Sequence, residues 1–120
     1  MTSVEFVRQL RHRILVEIMA YYKDSFENTS RDSVIDDYWQ SALAFFDKLD
    51  EDDRKIFFKI LHQVQVDGIA QALAILDGVA WLEGQGEEEF VLTTKRGESL
   101  SGELSDIFLG LEEEEEGNVD

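Results

Sequence analysis

The chain has 120 residues, with 27 Asp and Glu against 11 Lys and Arg, and a net charge of −16 at pH 7. Its 43% hydrophobic and 11% aromatic content supplies enough apolar surface to offset chain entropy, which excludes a disordered polymer, and the length suits one domain rather than two. The absence of cysteine excludes disulfides, thiolate metal sites and a cysteine nucleophile, and the negative charge sets the chain against nucleic-acid phosphates and anionic lipid headgroups.

At the start of the chain, Glu5, Arg8, Arg11, Arg13 and Glu17 interrupt every apolar run, so there is no uncharged core of a signal peptide. The most apolar stretch, residues 69–82, contains Asp77 and falls short of the ~20 apolar residues that span a membrane. A cytoplasmic location is expected. Ser3 is positioned to cap a first helix over about 3–27, with Val7, Leu10, Ile14, Ile18 and Tyr21 at three- and four-residue spacing. A polar connection at residues 28–32 leads into a second helix over about 31–49, with Ile35, Tyr38, Trp39, Ala42, Phe46 and Leu49 on one face. Asp50 begins a third helix over about 51–77, whose first turn carries Glu51, Asp52 and Asp53 at the positive end of the helix dipole. Its expected core face is Phe57, Ile60, Leu61, Val64, Ala72, Leu73 and Leu76. Gly68 lies inside this pattern, which suggests a close helix crossing or a break.

Seven of the eight glycines follow residue 77, and the period changes there. Val79, Trp81, Phe90 and Leu92 alternate around Glu83-Gly84-Gln85-Gly86, which predicts a two-stranded hairpin over about 79–94. Ser99 or Ser101 would cap a last helix over about 101–111 carrying Leu104, Ile107, Phe108 and Leu111. Residues 112–120 read as an acidic disordered tail. The expected fold is therefore mainly α with a small β element: a bundle of three to four helices, a hairpin and a short C-terminal helix within one domain over residues 1–111.

The search for chemistry is negative. His12 and His62 form no His-Glu-x-x-His pattern, and Gly-x-Ser-x-Gly and Walker-type sequences are missing. Gly84-Gln85-Gly86 lacks the third glycine of a dinucleotide site. Neighbouring acids such as Asp36 and Asp37 diverge by about 100° on a helix, so they do not converge on a metal or a proton. No catalytic, cofactor or metal-binding residue is expected, and no enzyme. Aromatics at 39, 45, 46, 57 and 58 read as core, with Phe45 and Phe58 forming a binding patch only if both are exposed. What points outward is charge: residues 1–23 carry +2, the remaining 97 carry −18, and the chain without residues 112–120 still carries −10. The expectation is an acidic interaction domain, of inhibitor or immunity type, that covers a basic protein through Asp32, Asp36, Asp37, Asp47, Glu87, Glu88 and Glu89. The alternative is a structural or regulatory module that forms a homodimer, its acidity serving solubility.

Overall fold

Thr2, not Ser3, starts the first helix. In the computed structural model, which describes residues 1–117, the Thr2 hydroxyl accepts from the Glu5 N–H and the Glu5 carboxylate accepts from the Thr2 N–H, both at 3.1 Å. This reciprocal capping box satisfies two of the free donors at the helix start and releases Ser3, whose hydroxyl donates to the Leu100 carbonyl at 2.8 Å. From there one helical rod runs through α1 (Ser3–Arg11), a π-helical segment (His12–Ile18) and α2 (Met19–Asn28). The wider π turns re-phase the rod, so Val7 and Leu15 serve one hydrophobic cluster and Phe26 serves another.

The second predicted helix begins later than its apolar spacing suggests. Residues Arg31–Ser33 form a single 3₁₀ turn, and α3 spans Asp37–Asp47. Asp36 sets this boundary: its carboxylate accepts from the N–H groups of Tyr38 and Trp39 at 2.8 and 3.3 Å, a local bond that favours an N-cap over continued helix. Ile35, 91% exposed, and Tyr38 consequently lie outside the core. Helix α4 (Glu51–Leu76) starts as expected, with Asp50 accepting from the Asp53 N–H at 2.8 Å. It runs unbroken through Gly68, and among the described residues no atom beyond the adjoining residues and the helix's own backbone lies within 4 Å of where a Cβ would sit there. Neither an intramolecular crossing nor a break explains that glycine.

The predicted β-hairpin is not present; among the described residues there is no strand or sheet, and the fold is mainly α. The reason lies in Gln85. Its side chain accepts from the Leu82 N–H at 2.9 Å and donates to the Glu88 carbonyl at 2.7 Å, while Gly84 and Gly86 both adopt positive φ. Two consecutive tight turns result, so the flanking residues cannot run alongside each other. A single antiparallel bridge forms further on, between Thr93 and Ser99. Helix α5 (Leu104–Gly117) also departs from expectation. Ser101 accepts from the Leu92 N–H instead of capping it. Residues 112–116, expected as part of a disordered tail, are the last turns of this helix, while residues 118–120 of that tail lie outside the described residues.

Two hydrophobic clusters hold these elements. One joins the start of the rod to α4 and α5 through Val7, Leu15, Val66, Leu73, Leu104 and Phe108. The other gathers Phe26, Leu43 and Phe46, with Phe57 and Phe58 against them and the Phe26 and Phe46 rings 5.1 Å apart. Phe58 is thus packed although Phe45 is half exposed, so the aromatic patch expected only if both were exposed does not form. The whole is open in shape. The radius of gyration is 18.0 Å, against about 13–14 Å for a compact chain of this length. Its accessible surface is 8761 Å², about 2,100 Å² more than the ~6,600 Å² expected for a compact monomer of 13.8 kDa.

Asp77, the C-cap of α4, also caps α5: its carboxylate accepts from the N–H groups of Gly102, Leu104 and Ser105 at 2.7, 3.0 and 2.8 Å. Replacing it (Asp77→Ala) is expected to destabilise the chain by about 2–3 kcal/mol, since three backbone donors lose a charged acceptor. Urea denaturation measures this, and a loss below about 0.5 kcal/mol, the range of ordinary surface changes, would show that the cap does not hold α5.

Candidate functional site

The seven acids singled out from the sequence do not form one constellation. Asp32 and Asp37 are exposed, on the 3₁₀ turn and in the first turn of α3. Asp36 is exposed but acts as the N-cap of α3, so its carboxylate is already engaged with backbone. Asp47 is engaged too: the Arg31 guanidinium donates to it from Nε at 3.0 Å and from Nη2 at 2.7 Å, and Arg54 lies 3.9 Å away. Arg31 also donates to the carbonyls of Phe26 and Thr29. The Asp47–Arg31 pair thereby ties α3 to the end of α2, which is a structural task. Glu87, Glu88 and Glu89 are exposed in the loop after the Gln85 turns. No hydrogen bond or ion pair among the described residues links the α3 group to the loop group.

A second cluster was not legible as a site. Glu112, 4% exposed, is the one charged residue buried among the described residues. It extends the line Leu104, Phe108 at four-residue spacing, which puts it on the buried face of α5. Arg11 Nε donates to its Oε1 at 2.6 Å, and His62 Nε2 lies 3.1 Å from its Oε2. The three side chains come from α1, α4 and α5, and with Lys59, Gln63 and the outer glutamates they line a cleft of about 530 Å³. Burying a carboxylate demands such partners. Both acidic and basic side chains line the cleft, which gives no uniform field for an anion or a cation. His12 is separate, 3.4 Å from Glu17 on the exposed side of the rod.

The least expected surface is apolar. Ile60 and Val64, read from the sequence as core, are 57% and 65% exposed, and Ala72 is exposed as well. Together with Ile56 and Gly68 they recur every four residues along α4. With about 100° per residue the middle of this line, Ile60 to Gly68, lies opposite Val66 and Leu73, which are on the side that packs into the protein. Beside it, between α4 and α2, runs a groove of about 470 Å³ lined by uncharged residues that include Met19, Tyr22, Leu61, Val64, Gly68 and Ile69. A helix apolar on both sides is a helix built to be covered on both sides. No helix among the described residues is long and apolar enough to cross a membrane. What fold and surface define is a mainly helical chain with an acidic exterior and, among the described residues, an uncharged groove beside α4. Comparison with family models, curated proteins and solved structures gives no match.

Two outcomes follow from the ionic contacts. Glu112→Ala leaves Arg11 without its partner and is expected to lower stability by about 2–4 kcal/mol. Glu113→Ala, at an exposed position of the same helix, should stay within about 0.5 kcal/mol; equal effects in urea denaturation would refute the buried pairing. The Arg31 hydrogen bonds hold the Asp47 carboxyl below the ordinary carboxylate range and raise Arg31, with desolvation opposing and the charges of Arg31 and Arg54 adding to the effect on Asp47. A depressed folded value means this contribution is complete above the unfolded value of about 3.9 and fades as the pH falls through the folded one. Carboxyl NMR titration should place Asp47 below an ordinary Asp, with Arg31→Gln returning it to the usual range.

Proposed function

We propose that this chain is a non-enzymatic, cytoplasmic protein-interaction module whose working surface is the outer face of α4 with the groove beside it. The observation that supports this reading is the exposure of the Ile60–Val64 line beside a groove with an uncharged lining. Burial of apolar area is the main driving term of association, and contiguous apolar surface on a soluble chain marks an interaction site more often than scattered residues do. In a chain of net charge −16, an uncharged groove is also where a partner approaches without stripping water from carboxylates. On this reading the module is structural or regulatory, and the acids around the surface limit unspecific association.

A second reading rests on a different observation. Asp32, Asp37, Glu87, Glu88 and Glu89 are all exposed, which supports an inhibitor or immunity-type protein that covers a basic partner and is steered to it by charge.

Affinity capture of the tagged chain, at low and high salt and with Gly68→Leu alongside the wild type, separates the two. Because a Cβ at position 68 meets nothing and leucine favours helix by about 0.8 kcal/mol over glycine, the variant should keep the fold, read as an unchanged or higher circular-dichroism melt. A partner retained at high salt and lost with Gly68→Leu is the expected result. A basic protein lost at high salt and indifferent to Gly68→Leu would support charge-driven capture and remove the groove from the interface.

A further inference from the structure

The chemistry of the α4 line says more about what covers it, given the reading of that face as the working surface. The line is graded. Ile56 and Ile60 are bulky, Val64 is intermediate, and Gly68 and Ala72 are small; all five are exposed. It is therefore complementary to its own reverse. If a second α4 lies antiparallel across the first with the two Val64 residues meeting on a two-fold axis, Ile60 of each copy falls opposite Gly68 of the other, with Ile56 and Ala72 at the flanks of the contact. Each Ile60 then meets the position with room for it, in the isologous arrangement in which residue i touches j and j touches i.

We infer that the chain pairs with a second copy of itself through an antiparallel α4–α4 contact centred on Val64. Three observations converge on this occupant. The accessible surface, 8761 Å², exceeds that of a compact monomer by about 2,100 Å², so the chain leaves surface that its own elements do not cover. The glycine at 68 has no cause within the chain, since the helix is continuous and the space around its Cβ position is open. An interior glycine costs a helix about 0.5–1 kcal/mol relative to alanine, and a close approach by Ile60 of the other copy supplies the reason for it. Finally, the facing residues Ile60, Val64 and Gly68 are uncharged, so two chains of charge −16 meet where their acids, Asp67 among them, stand at the edge rather than in the centre. Their remaining repulsion acts at longer range and is screened by salt. Pairing consequently strengthens as salt is added, opposite to the binding of a basic partner.

The cysteine-free chain allows a direct test with single introduced cysteines. Facing Cα atoms of two helices packed ~8–10 Å apart approach to about 4–6 Å, within the range a disulfide spans. Val64→Cys is expected to form a disulfide-linked dimer under mild oxidation faster than Ser41→Cys, an exposed control on α3. Ile60→Cys and Gly68→Cys should cross-link faster when mixed than separately. Light scattering of the wild type should give a dimer mass that persists at high salt, and Val64→Asp a monomer with an unaltered helical spectrum. A wild-type monomer at high salt overturns the inference, as does a dimer in which Val64→Cys links no faster than Ser41→Cys. If the chain is monomeric and yet Gly68→Leu abolishes capture of another protein, the second copy is excluded while the groove reading stands; if Gly68→Leu changes neither mass nor capture, both fall.

Discussion

Asp77 carries the constraint on which the arrangement of the C-terminal third depends. Its backbone N–H closes the last turn of α4 onto the Leu73 carbonyl, and its carboxylate gathers three N–H groups at the start of α5. One side chain thus fixes the end of one helix against the beginning of another across the irregular chain between them. Ser105 reinforces the joint, its hydroxyl donating to the Ala70 carbonyl at 3.1 Å. With α5 anchored there, Leu104 and Phe108 drop into the cluster with Val7 and Leu73, and four residues beyond Phe108 the helix delivers Glu112 to Arg11 and His62. The loop between α4 and α5 then has only to close on itself, which it does through turns and one bridge rather than a sheet.

Much of this was legible in the sequence, and the failures have physical causes. The helices were found because apolar spacing at three and four residues is a strong signal, and Asp50 announced α4 because a carboxylate before three acidic first-turn residues satisfies both the free N–H groups and the dipole. Asp36 and Asp77 were harder. Each caps a helix, but the apolar periodicity around Asp36 suggested continuation, and Asp77 caps from a distance that sequence order hides. The hairpin failed because alternation over a few residues is weak beside two glycines and a glutamine whose side chain completes both turns. Residues 112–116 read as a solvated run because five glutamates in a row obscure the one that continues the Leu104–Phe108 line into the interior.

The assignment of Ile60, Val64 and Ala72 to the core is the most informative departure. Hydrophobic pattern reports which residues avoid water and is silent on whether they do so against their own chain or another. The buried face of α4 holds Val66, Ala70, Leu73 and Ala74; of the residues assigned to the core from sequence, Leu73, Leu76 and Phe57 do pack inward, whereas Ile60, Val64 and Ala72 are exposed. Both faces are apolar, so periodicity alone could not choose between them. A chain whose pattern fits two inward faces, folded into a shape with an 18.0 Å radius of gyration, has more apolar face than its own elements can bury.

Charge and apolar surface are coupled in such a molecule. A helix face with exposed Ile56, Ile60 and Val64 invites association in many registers, and repulsion between copies of charge −16 opposes all of them. The registers that survive are those that bury the most apolar area while keeping carboxylates apart. On the proposed pairing, the gradient from isoleucine to glycine favours the register centred on Val64, because a slip of four residues one way sets Ile60 of each copy against Val64 of the other, bulky against bulky. Acidity and the size gradient then act together: the first removes loose contacts, and the second selects the one that remains.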